Sequence, residues 1–154
     1  ARLVGHGGPR AAGRDRESLE EPGGDVGGAD ADHLLVRFDL FAATCGKDGV
    51  EVKDRAGFIV NALLFPYLNN AIRMWEVGTA SMESIDTAMK GGCNFPMGPF
   101  ALLDLVGLDT SVAILEALFE ERRQPDLTPA PTLRRLVAAG RLGRKTGEGF
   151  YAYQ

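Results

Sequence analysis

Histidine is almost missing from this sequence: His6 and His33 are the only two. A reaction that needs an imidazole acid or base has at most those two candidates, and neither lies in the patterned part of the chain. Cysteine is as scarce. Cys45 and Cys93 stand far apart with no metal-ligand or redox spacing around them, so they read as reduced thiols rather than a disulfide. No apolar run approaches the ~18–20 residues of a membrane span. The first thirty residues also lack the apolar stretch of a signal peptide. With 17 Lys and Arg against 21 Asp and Glu, the net charge of −4 leaves no basic excess for general nucleic-acid binding. Together these absences predict a soluble, cytoplasmic protein with neither membrane nor nucleic acid as a partner.

A dinucleotide-binding turn is missing too. It needs G-x-G-x-x-G between a strand and a helix, with an acidic residue further on. Gly5, Gly7 and Gly8 begin such a pattern, but Arg10 stands where the last glycine belongs and no apolar strand precedes them. Gly23, Gly24, Gly27 and Gly28 are wrongly spaced, and no helical pattern follows. Fewer than sixty residues precede the helical region, against roughly 100–150 for a typical domain.

What the chain does hold is uneven. Its 154 residues are 45% hydrophobic, enough for one ordinary domain. Residues 1–33 carry eight of the twenty glycines, with no apolar period. Such a segment buries too little to offset the entropy of ordering it. Residues 1–45 are therefore expected to be a poorly ordered Gly/Arg/Asp-rich segment, and 46–154 an all-α helical bundle. LLVRFDLF reads as a short strand or a helix start, and GVEV as a possible strand.

Five helices are expected. The first covers about 54–77 and closes at Gly78, apolar around most of its circumference, with a bend at Pro66. Ser81 caps a second that stops at Gly91-Gly92. A third starts at Pro99 and ends near Gly107. Asp109 caps a fourth, with Val112, Leu115, Leu118 and Phe119 inside and Glu116, Glu120 and Arg123 outside. Thr132 caps a fifth that ends at Gly140. GRKTGEGFYAY is a turn and a short extended tail.

Asn61 is the polar exception among Phe58, Ile59, Val60, Leu63 and Leu64. From spacing alone it is either a buried amide bonded to a backbone carbonyl or a polar group facing a site. Lys145, beside Arg144, reads as a solvated tail lysine. Asp104 and Asp109 are badly spaced for a metal, and no metal site is expected. Arg134, Arg135, Arg141, Arg144 and Lys145 make a basic end, read as a solvated face rather than a phosphate site.

DRAGFIVNALLFPYLNNAIRMWEVG, PMGPFALLDLVGLD, PTLRRLVAAGRLG and GRKTGEGFYAY together resemble, in order, the C-terminal helical domain of the 3-hydroxyacyl-CoA dehydrogenases. The likeness covers about two-thirds of the chain and is closest to the bacterial 3-hydroxybutyryl-CoA dehydrogenases of fatty-acid metabolism. One departure is Ala62, where many members have arginine. The resemblance implies an NAD-dependent oxidoreductase of two domains, whose helical half supplies a homodimer interface and one wall of an acyl-CoA cleft. It also implies that the catalytic histidine and glutamate come from the other domain. It makes Asn61 substrate-binding and Lys145 cofactor-binding, with no catalytic set complete in this chain and no tight NAD binding by it alone. The unmatched N-terminal composition resembles a GC-rich message read out of frame, which points to a truncated or frameshifted dehydrogenase. The competing readings are a non-catalytic dimerisation or acyl-CoA-binding module that docks on a separate dinucleotide-binding partner, and a related dehydrogenase of a non-thioester hydroxy acid.

Overall fold

The computed structural model of the chain describes residues 40–154. The chain divides after Lys53. Of the segment expected to be poorly ordered, 1–45, only 40–45 are described, and most of LLVRFDLF lies outside the described residues. Residues 40–44 are helical, and Thr44 Oγ1 donates to the Phe41 carbonyl at 2.7 Å. The strand expected at GVEV is not there: 49–52 are without regular structure.

Residues 54–154 form five α-helices: α1 (Val60–Glu76), α2 (Met82–Cys93), α3 (Pro99–Val106), α4 (Leu108–Arg122) and α5 (Pro131–Ala138). Two 3-10 turns, Pro125–Leu127 and Arg144–Thr146, complete the unit, and two isolated antiparallel bridges, Gly143 with Glu148 and Glu148 with Ala152, tie the tail. The all-α bundle and the turn-plus-extended tail are as the sequence predicts.

Helix α1 is central, packing against α3 and α4, with α2 on α3 and α5 on α4. Its buried face is Ala62, Phe65, Leu68, Asn69, Ala71 and Ile72, and the helix runs through Pro66 without a break. Phe100 and Leu103 of α3, Leu115 and Leu118 of α4, and Leu133 of α5 meet that face in one core. Phe150 reaches back from the tail, and its ring lies edge-on to Phe100 at 5.0 Å and to Trp75 at 6.1 Å. Edge-to-face pairs add about 0.5–1.5 kcal/mol beyond area burial, so the tail belongs to the core.

Helix ends depart from expectation where backbone and packing override local signals. Helix α1 begins at Val60 rather than near 54, because Gly57 (φ 77°) and Phe58 (φ 47°) are left-handed. Helix α2 is capped by Ser81, whose Oγ accepts the Ser84 N–H at 3.2 Å, as expected. It runs past Gly91 and Gly92 to Cys93, and the left-handed residue that ends it is Asn94. Asp109 and Thr132 are not caps: Gly107 precedes α4 and Ala130 precedes α5, neither with a capping side chain.

Candidate functional site

Three separate constructions position the residues singled out from the sequence. The first sets the start of α1. A Cβ at Gly57 would lie 2.9 Å from both the Ala62 N and Leu118 Cδ2, so only glycine fits there. Phe58 follows at positive φ, a conformation that costs a bulky residue of order 1–3 kcal/mol and persists only when its surroundings impose it. Here the preceding turn is pinned, since Glu121 Oε2 accepts the Ala56 N–H at 2.7 Å. Asn61 consequently falls in the first turn of α1, a turn with neither a capping side chain nor an acidic residue. It is half-buried, and no side-chain hydrogen bond to another described residue engages its amide. Its neighbours Phe58, Ile59, Val60 and Leu63 are exposed. The arrangement leaves an amide free to donate and accept within an apolar collar, without titrating.

The second construction is a buried polar frame that sequence reasoning missed. Asn69 is fully buried; its Nδ2 donates to the Asp126 and Thr128 carbonyls at 2.8 and 2.9 Å, and its Oδ1 accepts the Ala130 N–H at 2.9 Å. Asp86 of α2 accepts the Phe100 and Ala101 N–H groups at 2.8 and 3.1 Å, capping α3 from another helix. Gly98 makes this possible, because a Cβ there would collide with Asp86. Glu76 does the same for α5 by accepting the Thr132 N–H at 2.8 Å. Asp104 accepts the Phe150 and Tyr151 N–H groups, both at 2.9 Å, and the Tyr153 hydroxyl at 2.9 Å. Tyr151 in turn donates to Asp86 at 3.1 Å. Burial, then the nearby Asp86 charge, pushes the Tyr151 hydroxyl well above the usual phenol range. Burial, then the Asp104 hydrogen bond, raises Tyr153 to about 12. The available signal was an aspartate at a core-facing helical position: Asp86 beside Ile85, Asp104 beside Leu103.

The third holds Lys145, in the Arg144–Thr146 turn. Its Nζ donates to Asp109 Oδ1 at 2.6 Å and Oδ2 at 2.7 Å, with both side chains about half exposed. The lysine holds the Asp109 carboxyl below its ordinary range, chiefly through that hydrogen bond. The other basic residues are also engaged. Arg134 pairs with Glu116 at 2.8 Å, Arg141 with Glu148 at 2.9 Å, and Arg144 lies over the Tyr153 ring at 5.3 Å. Asp104 and Asp109 serve different partners, and no three metal-ligating side chains cluster among the described residues.

The structure does not bring Asn61 and Lys145 together: α1 makes no contact with the Arg144–Thr146 turn. Two surface hollows, of about 480 Å³ beside Trp75 and Arg135 and about 310 Å³ beside Phe119 and Arg134, are lined by neither residue. No helix among the described residues is long and apolar enough to cross a membrane.

Comparison with known proteins places this architecture. Residues 57–153 match the family model of the 3-hydroxyacyl-CoA dehydrogenase C-terminal domain. The 3-hydroxybutyryl-CoA dehydrogenase of Mycobacterium tuberculosis is 52% identical over 119 residues, 77% of this chain and 42% of that protein. The mouse mitochondrial hydroxyacyl-coenzyme A dehydrogenase is 56% identical over 115 residues, 74% of this chain and 37% of that one. The crystal structure of (S)-3-hydroxybutyryl-CoA dehydrogenase from Ralstonia eutropha superposes with a TM-score of 0.75 at 46% identity, covering 81% of this chain and 44% of its own. The chain thus spans well under half the length of the relatives it matches. It belongs to the 3-hydroxyacyl-CoA dehydrogenase family, and residues 57–153 are its C-terminal domain.

Proposed function

We propose that residues 46–154 act as the substrate-side and dimerisation half of an NAD-dependent 3-hydroxyacyl-CoA dehydrogenase of fatty-acid metabolism, with 3-hydroxybutyryl-CoA-like thioesters as substrates and a cytoplasmic location. The observation that carries the reading is Asn61, an amide with no partner in its own unit, in a segment matching the family model, while Asn69 on the same helix takes the structural role. Asn61 orients the C3 hydroxyl or the thioester carbonyl by hydrogen bonding, which holds the reacting carbon for hydride transfer. NAD, when bound, supplies the hydride acceptor. Lys145 is the group of this chain that meets it, and its remaining N–H and half-exposed position fit such a contact. The helical domain contains no histidine, so the general base and the dinucleotide turn must be contributed from elsewhere.

A second reading, a non-catalytic module docking on a separate dinucleotide-binding partner, is favoured by the exposed Phe58, Ile59, Val60 and Leu63. One assay separates them: NADH-dependent reduction of acetoacetyl-CoA by this chain alone and after mixing with a relative's dinucleotide-binding domain. The expected result is no turnover alone, turnover in the mixture, and a loss of about 10²–10³ in kcat for Asn61→Ala, the range for removing one preorganised donor. Turnover unaffected by Asn61→Ala would remove Asn61 from the site. No turnover in a mixture that forms a stable complex would favour the docking module.

A further inference from the structure

We infer that Glu121 is a positioning residue for Asn61: from α4 it holds the turn that leads into α1, and through that backbone it sets where the Asn61 amide stands. Its effect on turnover rests on the substrate-facing reading of Asn61; its hold on the backbone does not.

No side-chain hydrogen bond to another described residue engages the Asn61 amide, so nothing at the amide itself fixes it. Its place follows from the backbone that carries it, since the allowed rotamers depend on φ and ψ. That backbone enters through the turn Arg55–Phe58, closed by the Phe58 N–H donating to the Arg55 carbonyl at 3.0 Å. Gly57 takes the third position of the turn at φ 77°, and Phe58 follows at φ 47°. The Ala62 N–H then donates to the Gly57 carbonyl at 3.2 Å, five residues back instead of the four of an α-helix. Asn61 lies inside this widened turn, directly before its donor. Such turns recur at functional sites.

Two residues of α4 hold the turn, and their spacing of three puts them on one face. Leu118 lies against Gly57, where a Cβ would approach Leu118 Cδ2 to 2.9 Å. Glu121 Oε2 accepts the Ala56 N–H at 2.7 Å, the length of a charge-assisted bond. Arg55 adds no comparable tie, because its guanidinium is 3.9 Å from Glu121 Oε1 and its side chain is 69% exposed. Ile59, at the head of α1, makes no capping bond. Among the described residues, Glu121 thus makes the one side-chain hydrogen bond to the backbone between 54 and 60. It also differs from Asp86 and Asp104, which work inside the core. The Glu121 side chain is 35% exposed, so truncating it opens no core cavity and acts on the turn alone.

The test follows amide hydrogen exchange and residual dipolar couplings by NMR in the full chain, as wild type, Glu121→Ala, Glu121→Gln and Glu120→Ala. Glu121→Ala is expected to speed exchange of both the Ala56 and the Ala62 N–H about tenfold, the scale of one charge-assisted hydrogen bond. The couplings of residues 57–61 should shrink by averaging, while amides beyond the first turn of α1 keep their rates. Glu121→Gln retains an acceptor oxygen and should restore most of the protection. Glu120→Ala removes the neighbouring exposed carboxylate and should change nothing. Faster exchange at Ala56 alone, with 57–61 unmoved, would overturn the inference, because Glu121 would then be a surface tie without hold on Asn61. Couplings already averaged at 57–61 in the wild type would overturn it as well. In the mixture with a dinucleotide-binding domain, Glu121→Ala should lower kcat about tenfold, within the ~10²-fold that a misplacement of about 1 Å can cost. KM for acetoacetyl-CoA should stay within about twofold, and Glu121→Gln should recover most of the rate. An unchanged kcat in a mixture that does lose turnover with Asn61→Ala would also overturn the inference. Turnover insensitive to Asn61→Ala removes the substrate reading instead, and the exchange rates and couplings then decide the role of Glu121 by themselves.

Discussion

Two asparagines on α1 have opposite surroundings, and substitution should separate them. Asn69→Ala strands the buried Ala130 N–H and takes a donor from the part-buried Asp126 and Thr128 carbonyls, of which Thr128 keeps Arg73 at 2.8 Å. Each unsatisfied buried group costs about 1–3 kcal/mol, so a loss of roughly 2–4 kcal/mol is expected. Asn61→Ala removes no side-chain hydrogen bond among the described residues and should stay within about 0.5 kcal/mol of wild type. Urea denaturation of both variants measures the contrast; a large loss for Asn61→Ala would mean that its amide is structural after all. This difference was not legible in the sequence. Both residues interrupt apolar runs, and what separates them is the loop of Asp126, Thr128 and Ala130, far along the chain, which meets Asn69. For Asp104 the core-facing position was legible and the partners were not. They are two backbone N–H groups of the tail and the Tyr153 hydroxyl, and no side-chain motif announces a backbone donor.

At the scale of elements, the helices were legible from apolar period and their ends only in part: the Ser81 cap, the Pro99 start and the stop near Gly107 were readable, and the starts of α1, α4 and α5 and the end of α2 were not. Periodicity reports which face is buried, and that depends on many residues at once. An end depends on one or two contacts, which can come from far along the chain. Helices α3 and α5 begin with proline and take their caps from Asp86 and Glu76 on other helices; the first-turn proline still located α3 at Pro99, whereas a local cap at Thr132 misplaced the start of α5. The tail is attached in the same way, and this gives it a pH dependence. Tyr151 and Tyr153 hold their protons more tightly folded than unfolded. Their contribution is complete below the unfolded value near 10 and is lost as pH rises from there through about 12 for Tyr153. Stability should therefore fall with rising pH above about 10. Tyr153→Phe should cost about 1 kcal/mol at pH 8, one hydrogen bond, and make the alkaline decline shallower. Guanidinium denaturation between pH 8 and 11.5 provides the comparison, and an unchanged slope in Tyr153→Phe would show that the hydroxyl does not report the tail.

At the scale of the whole molecule, α1 presents a second apolar face. Val60, Leu63, Asn70, Met74 and Val77 are exposed along its length, with Tyr67 half-buried among them. Their alternating three- and four-residue spacing is that of a helix–helix seam. The stripe is also nearly self-complementary. An antiparallel second copy that sets Val60 against Val77 also sets Leu63 against Met74 and Tyr67 against Asn70. A two-fold interface requires this kind of matching, in which each residue meets its counterpart's partner. The proposed homodimer should therefore form along α1. Leu63→Glu and Val77→Glu each place a charge in the seam, where burying it unpaired costs several kcal/mol, and should weaken dimerisation more than 10²-fold. Phe58→Glu, beyond the end of the stripe, should leave the dimer intact while impairing any docking that uses the collar around Asn61. Sedimentation velocity over a concentration series measures all three. If Phe58→Glu alone abolishes dimerisation, the interface is centred on Phe58 rather than on the stripe, and the whole collar, not only the Val60 and Leu63 it shares with the stripe, would then have to serve both a second copy and a dinucleotide-binding domain. A wild-type chain that remains monomeric at its highest attainable concentration would remove the α1 seam, leaving the stripe to be covered by a different partner.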